Sequence, residues 1–157
     1  MVLVTLGTQK EPFTRLLNLI EKSNIDDEII VQNGHTSYKS NKMKLIGFVD
    51  YDEMSKLEDK ADYIITHAGT GSVVGPLKKG KKIIVCARLK KYGEHVDDHQ
   101  TELASVFANE GYVLELKEND NLDDVIEKIP TFVPKKYISN TENFKNKLKE
   151  RIDSYLK

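Results

Sequence analysis

Short runs of β-favouring residues alternate along this chain with stretches whose apolar residues recur at helical spacing. That alternation predicts parallel strands joined by crossover helices, an α/β doubly wound, Rossmann-like sheet. Val2 to Leu6, Glu28 to Gln32, Leu45 to Val49, Tyr63 to Thr66, Ile83 to Cys86 and Tyr112 to Leu116 read as the strands. Between them, Phe13, Leu16, Leu17 and Ile20 mark one helix and Met54 and Leu57 another, with Asp50 as its cap. Val73 to Gly80 continues as a helix, and Asp98 to Asn109 forms another that Gly111 ends. A last crossover helix over Leu122 to Ile129 stops at Pro130. Residues 1–130 are expected to form one nucleotide-binding domain. Residues 131–157 read as a connector and an amphipathic helix from Asn140, suited to docking a partner.

Open sheets of this kind place ligands at the carboxyl ends of their strands. Asp62 to Gln100 concentrates polar groups at two such ends. After Tyr63–Thr66 comes His67-Ala68-Gly69-Thr70-Gly71-Ser72, opening a helix. N–H groups at a helix start, backed by the dipole, bind phosphate, and glycines let the backbone approach it. After Ile83–Cys86 comes a polar loop ending Glu94-His95-Val96-Asp97-Asp98-His99-Gln100. Its carboxylates and amide suit sugar hydroxyls, while Arg88, Lys90 and Lys91 suit phosphate. Gly7-Thr8-Gln9, after the first strand, is expected to face the same crevice. Tyr38 and Tyr51 read as packing residues, and His35 as loop.

Three other patterns fail on context. Gly75 to Lys82 fits G-x-x-x-x-G-K, but it precedes a strand and lacks the Ser or Thr that would hold magnesium. His95 and His99 have the spacing of a metal pair without a third ligand, so no metal is expected. Gly69, Gly71 and Gly75 with Arg88 form a loose dinucleotide fingerprint, which keeps an NADP-binding reductase as an alternative.

Composition narrows the class. A net charge of −1 gives no argument for nucleic acid. The lone Cys86, inside a strand, cannot form an internal disulfide and suits a reducing cytoplasm. No apolar run reaches the ~18 residues of a membrane span. Met1-Val2-Leu3-Val4 enters a strand directly, unlike a signal peptide.

Leu6-Gly7-Thr8, Thr66 to Ser72 and Glu94 to Gln100 together resemble the C-terminal, donor-binding half of GT-B glycosyltransferases of the MurG type (glycosyltransferase family 28). The likeness is to short, free-standing versions of that half. One is the catalytic subunit of the dolichol-diphosphate UDP-GlcNAc transferase; another is the small subunit of bacterial capsule and exopolysaccharide β-1,4-galactosyltransferases. The resemblance implies an inverting transfer from a UDP-sugar without a metal or other cofactor. A lipid-linked saccharide would be the acceptor. A membrane-anchored partner would bind that acceptor and hold this cytoplasmic chain at the inner membrane face. Gly69, Thr70, Gly71 and Ser72 would face the diphosphate with Gly7 and Thr8. Phe48 would lie near the uracil, and Glu94, Asp98, His99 and Gln100 would meet the donor sugar. His67 and His99 are the candidate catalytic residues. One position departs from the pattern. Where the family carries a ribose-binding Glu, this chain has Gly75, followed by Pro76. A non-catalytic UDP-sugar-binding regulatory partner is therefore the other expectation.

Overall fold

The computed structural model describes residues 1–137. The predicted terminal helix from Asn140 lies outside them. Among the described residues six strands form one fully parallel sheet: β1 (Val2–Thr5), β2 (Ile29–Gln32), β3 (Met43–Leu45), β4 (Tyr63–His67), β5 (Ile83–Cys86) and β6 (Leu114–Leu116). Their order is β3-β2-β1-β4-β5-β6, so the winding reverses between β1 and β4. The connecting helices are α1 (Thr14–Lys22), α2 (Tyr51–Lys60), α3 (Thr70–Lys78), α4 (His99–Asn109) and α5 (Leu122–Glu127).

Strand side chains alternate between two buried faces, as the two-residue period requires. Val2, Val4, Ile29, Val31, Ile65 and Ile84 point to one side, where Leu16, Leu17 and Ile20 of α1 and Leu122 and Val125 of α5 cover them. Leu3, Ile30 and Ile64 point to the other side, under Leu57 of α2. Ile83 and Val85 continue that side, under Val73 and Leu77 of α3 and Phe107 of α4. Burial on both faces explains why β5 reads as an unbroken apolar run and β1 and β2 as apolar runs up to their last residue, Thr5 and Gln32.

Two predicted strands are shifted. The third pairs over Met43–Leu45, not Leu45 to Val49. Gly47 adopts φ +71°, turning the chain out of the sheet. Its carbonyl receives Gly34 N at 3.1 Å and its N–H reaches Asn33 Oδ1 at 2.8 Å. The rest of the run becomes a loop with Phe48 on its surface. The sixth strand starts at Leu114, since Gly111 is at φ +83° and Tyr112 N still bonds back to Phe107 O. Tyr51, read as a packing residue, is 86% exposed at the start of α2.

Candidate active site

A cavity of about 590 Å³ opens at the winding reversal. Its floor is Thr5, at the end of β1, and Gln32, at the end of β2. Gly7 and Thr8 form one wall, Gly71, Ser72 and Gly75 of α3 a second, and Phe48 to Tyr51 with Glu58 of α2 a third. Gly71 and Ser72 of the glycine turn, Gly7 and Thr8 of the first turn, and Phe48 therefore line one crevice, which Gly69 and Thr70 do not line.

α3 begins without a protein cap. Gly69 occupies the N-cap and offers no side chain, and the first turn holds no acidic residue. The first N–H to find an acceptor is that of Val73, on Gly69 O at 3.1 Å. Among the described residues no acceptor meets the N–H groups of Thr70, Gly71 and Ser72. Such uncapped groups carry the positive end of the helix dipole. A Cβ at Gly71 would meet nothing within 4 Å, so the approach to them is open.

The other two glycines are held by sterics. A Cβ at Gly69 would lie 2.5 Å from His67 Cε1, and one at Gly7 2.5 Å from His67 Nε2. The imidazole is thus pressed between the two loops. Gly7 also needs its φ of +77°.

His67 is buried, and its hydrogen bonds fix its chemical form. Gln100 Oε1 accepts the N–H groups of Ala68 and Arg88, at 3.2 and 3.1 Å. Its amide nitrogen must then donate to His67 Nδ1, 3.1 Å away. The ring hydrogen belongs on Nε2, which donates to Ser72 Oγ at 3.1 Å. Burial, helped by the charge of Arg88, pushes the His67 pKa down to about 4, so the ring is neutral at pH 7. The Ser72 hydroxyl, its oxygen accepting from the ring, keeps its own proton for another acceptor. Both ring nitrogens are committed, so His67 positions Ser72 and has no free nitrogen to serve as a base.

The polar loop is mostly turned inward. Arg88 is 1% exposed; its guanidinium donates to the carbonyls of Leu6, Glu11 and Glu94 at 2.6, 2.7 and 3.0 Å. It braces the loops after β1 and β5 from a buried position, so the NADP alternative loses its cation. Glu94, expected to meet a sugar, is buried as well. Arg15 grips both its oxygens, at 3.0 and 2.9 Å, and Leu89 N donates to Oε1 at 2.9 Å. Gln100 ties the ends of β4 and β5 together. Asp98 Oδ1 accepts Lys90 N at 3.0 Å, and the residue lines a separate shallow depression with Lys91 and Glu118. His99 is half-exposed, between Asp97 at 3.4 Å and Glu102 at 3.7 Å. Among the described residues no three His, Cys, Asp or Glu side chains gather as a metal site.

Sequence reasoning missed Gln32. Its Oε1 accepts Leu6 N and Gly7 N, at 3.2 and 3.1 Å, and its Nε2 donates to Gly7 O at 3.0 Å. The side chain acts as a piece of backbone and holds the first loop in place. A Gln ending an otherwise apolar strand was the available signal.

Fold and site together define a Rossmann-like half of the GT-B architecture, with an anion-receptive helix start at its switch point. The chain belongs to the glycosyltransferase family 28 C-terminal domain family, which it matches over residues 1–155. It is 40% identical over 73 residues to the UDP-N-acetylglucosamine transferase subunit ALG13 of Saccharomyces cerevisiae, covering 46% of this chain and 34% of that one. The protein of the same name from Debaryomyces hansenii is 26% identical over 137 residues, 85% of this chain and 58% of that one. This chain therefore spans about a third to just over half of these relatives. Among solved folds, the solution NMR structure of ALG13 superposes with TM-score 0.61 at 22% identity, covering 94% of both chains. The crystal structure of Acinetobacter baumannii MurG superposes with TM-score 0.51 at 19% identity, over 82% of this chain and 40% of that one.

Proposed function

We propose that this chain is the donor-binding catalytic subunit of a two-component inverting transferase. It moves an N-acetylhexosamine or hexose from a UDP-sugar to a lipid-linked saccharide. One observation carries the reading: three unsatisfied N–H groups at the start of α3, which opens into the cavity at the switch point with Ser72, held by His67, in its lining. Fixed donors at that place suit a diphosphate. They suit the transition state better still, because negative charge builds on the departing nucleotide as the glycosidic bond breaks. Gly7 and Thr8 approach from the opposite wall. Phe48, in edge contact with His35, offers an apolar surface for the base. Donor binding on this design draws on backbone dipoles and needs no metal.

Both nitrogens of His67 are occupied, so we assign the base that activates the acceptor hydroxyl to the partner's side of the cleft. The switch-point crevice, taken up by the donor, leaves the acceptor to the partner. The word "subunit" in the relatives' name supports such a partner. Their naming favours N-acetylglucosamine over galactose as the sugar, and nothing in the comparisons points to capsule or exopolysaccharide. We place the assembly at the cytoplasmic membrane face, with the anchor in the partner; no helix among the described residues is long and apolar enough to cross a membrane.

The test is an add-back assay. Membranes from cells lacking this chain receive labelled UDP-N-acetylglucosamine or UDP-galactose. Purified chain should restore label in the lipid extract. Ser72→Ala should lower turnover about tenfold, the loss of one hydrogen bond to a charged group. Incorporation without the chain, or full activity in Ser72→Ala, refutes a catalytic role.

A further inference from the structure

The cavity holds a carboxylate that diphosphate binding leaves unused. Asp50 and Glu58 both line it. Asp50 is committed to capping α2, accepting Glu53 N at 2.8 Å. Glu58 presents only Oε1 to a protein partner, Lys79 Nζ at 3.3 Å. Lys79 is itself anchored on the Ser55 hydroxyl and carbonyl, at 2.7 and 2.8 Å, and on Asp59 at 3.0 Å. The carboxylate is therefore oriented from behind. No hydrogen bond from the described residues reaches Oε2. That oxygen faces α3 at Gly75, where a built Cβ would stand 3.6 Å away. The missing side chain leaves the space in front of the carboxylate open.

Position along the helix gives this group its meaning. Gly75 follows Gly71 by four residues, about 6 Å at 1.5 Å per residue. A ligand with a phosphate on the helix start, running down α3, brings its next unit to Glu58. A carboxylate repels a further phosphate and accepts hydroxyl protons. In a nucleoside diphosphate the unit after the phosphate is a ribose with two adjacent hydroxyls, and the base follows, toward Phe48.

We propose that Glu58, oriented by Lys79, binds the ribose hydroxyls of the nucleotide and makes the site select ribonucleotides. The proposal rests on the diphosphate reading above. Its test titrates the full chain calorimetrically with UDP and with 2′,3′-dideoxy-UDP. The wild type should prefer UDP by about ten- to a hundredfold, as for hydrogen bonds to a charged acceptor. Glu58→Ala should erase that preference by weakening UDP alone, leaving the dideoxy affinity unchanged. Glu58→Gln keeps the shape and should lower the preference at least about threefold. Melting curves verify that each variant is folded. Equal wild-type affinities, or a preference that survives in folded Glu58→Ala and Glu58→Gln, overturn the assignment and leave the diphosphate reading standing. No heat from either nucleotide removes that reading, and the assignment with it.

Discussion

Acid should destabilise this protein through His67. Folding buries the ring to 4% exposure, and burial followed by the charge of Arg88 sets its pKa at about 4. In the unfolded chain the ring returns to its ordinary 6.5. Between those values the unfolded state holds a proton that the folded state refuses. Stability must therefore fall as pH drops through about 6.5 toward 4. At 1.36 kcal/mol per pKa unit the whole interval is worth about 3 kcal/mol, of which about 2 kcal/mol is lost between pH 8 and pH 5. Urea denaturation of wild type and His67→Gln from pH 8 to pH 5 isolates the effect, because the remaining groups titrate alike in both. The wild type should lose about 2 kcal/mol more than the variant over that range. Nitrogen-15 NMR of the imidazoles should show one neutral ring protonated on Nε2 that does not titrate near pH 6.5. Parallel stability curves, or a His67 ring titrating near 6.5, would refute the network built on Gln100 and Ser72.

Further outcomes follow from the same geometry. Gly69→Ala drives a methyl into the His67 ring and should cost about 2 kcal/mol, whereas Gly71→Ala meets nothing and should keep or slightly raise stability; equal effects in chemical denaturation contradict the steric account. Gln100→Ala strands the N–H groups of Ala68 and Arg88 and should cost about 3 kcal/mol; loss of nucleotide affinity at unchanged stability would show instead that Gln100 faces the ligand. NADPH should give no saturable fluorescence change, since Arg88 is spent on three carbonyls; saturable binding would reinstate the dinucleotide reading.

The order and kind of the elements were legible because both faces of the sheet are covered, which writes each strand as an apolar run. β3 was misplaced for a local reason: Gly47 turns the chain while its neighbours stay apolar, so the run outlasts the pairing. The helix start was legible too, since a glycine pair after a strand has few other uses. The polar loop was harder. Arg88 and Glu94, in the loop after β5, and Gln100, in the first turn of α4, would look alike in sequence whether they face a ligand or clamp a loop, and only burial separates those uses. Glu58 gave no signal at all. Its place in the cavity depends on how α2 packs beside α3, and on Gly75 leaving room.

The central claim is that the uncapped start of α3 grips a diphosphate. Calorimetry with UDP, UMP and uridine, on wild type and on Gly71→Val, tests it directly. The account predicts saturable heat with UDP, weaker binding of UMP and none of uridine, and at least a thirtyfold loss, roughly 2 kcal/mol, in a Gly71→Val protein that melts like the wild type. Equal UDP affinity in wild type and folded Gly71→Val, or no heat with UDP at all, would contradict it.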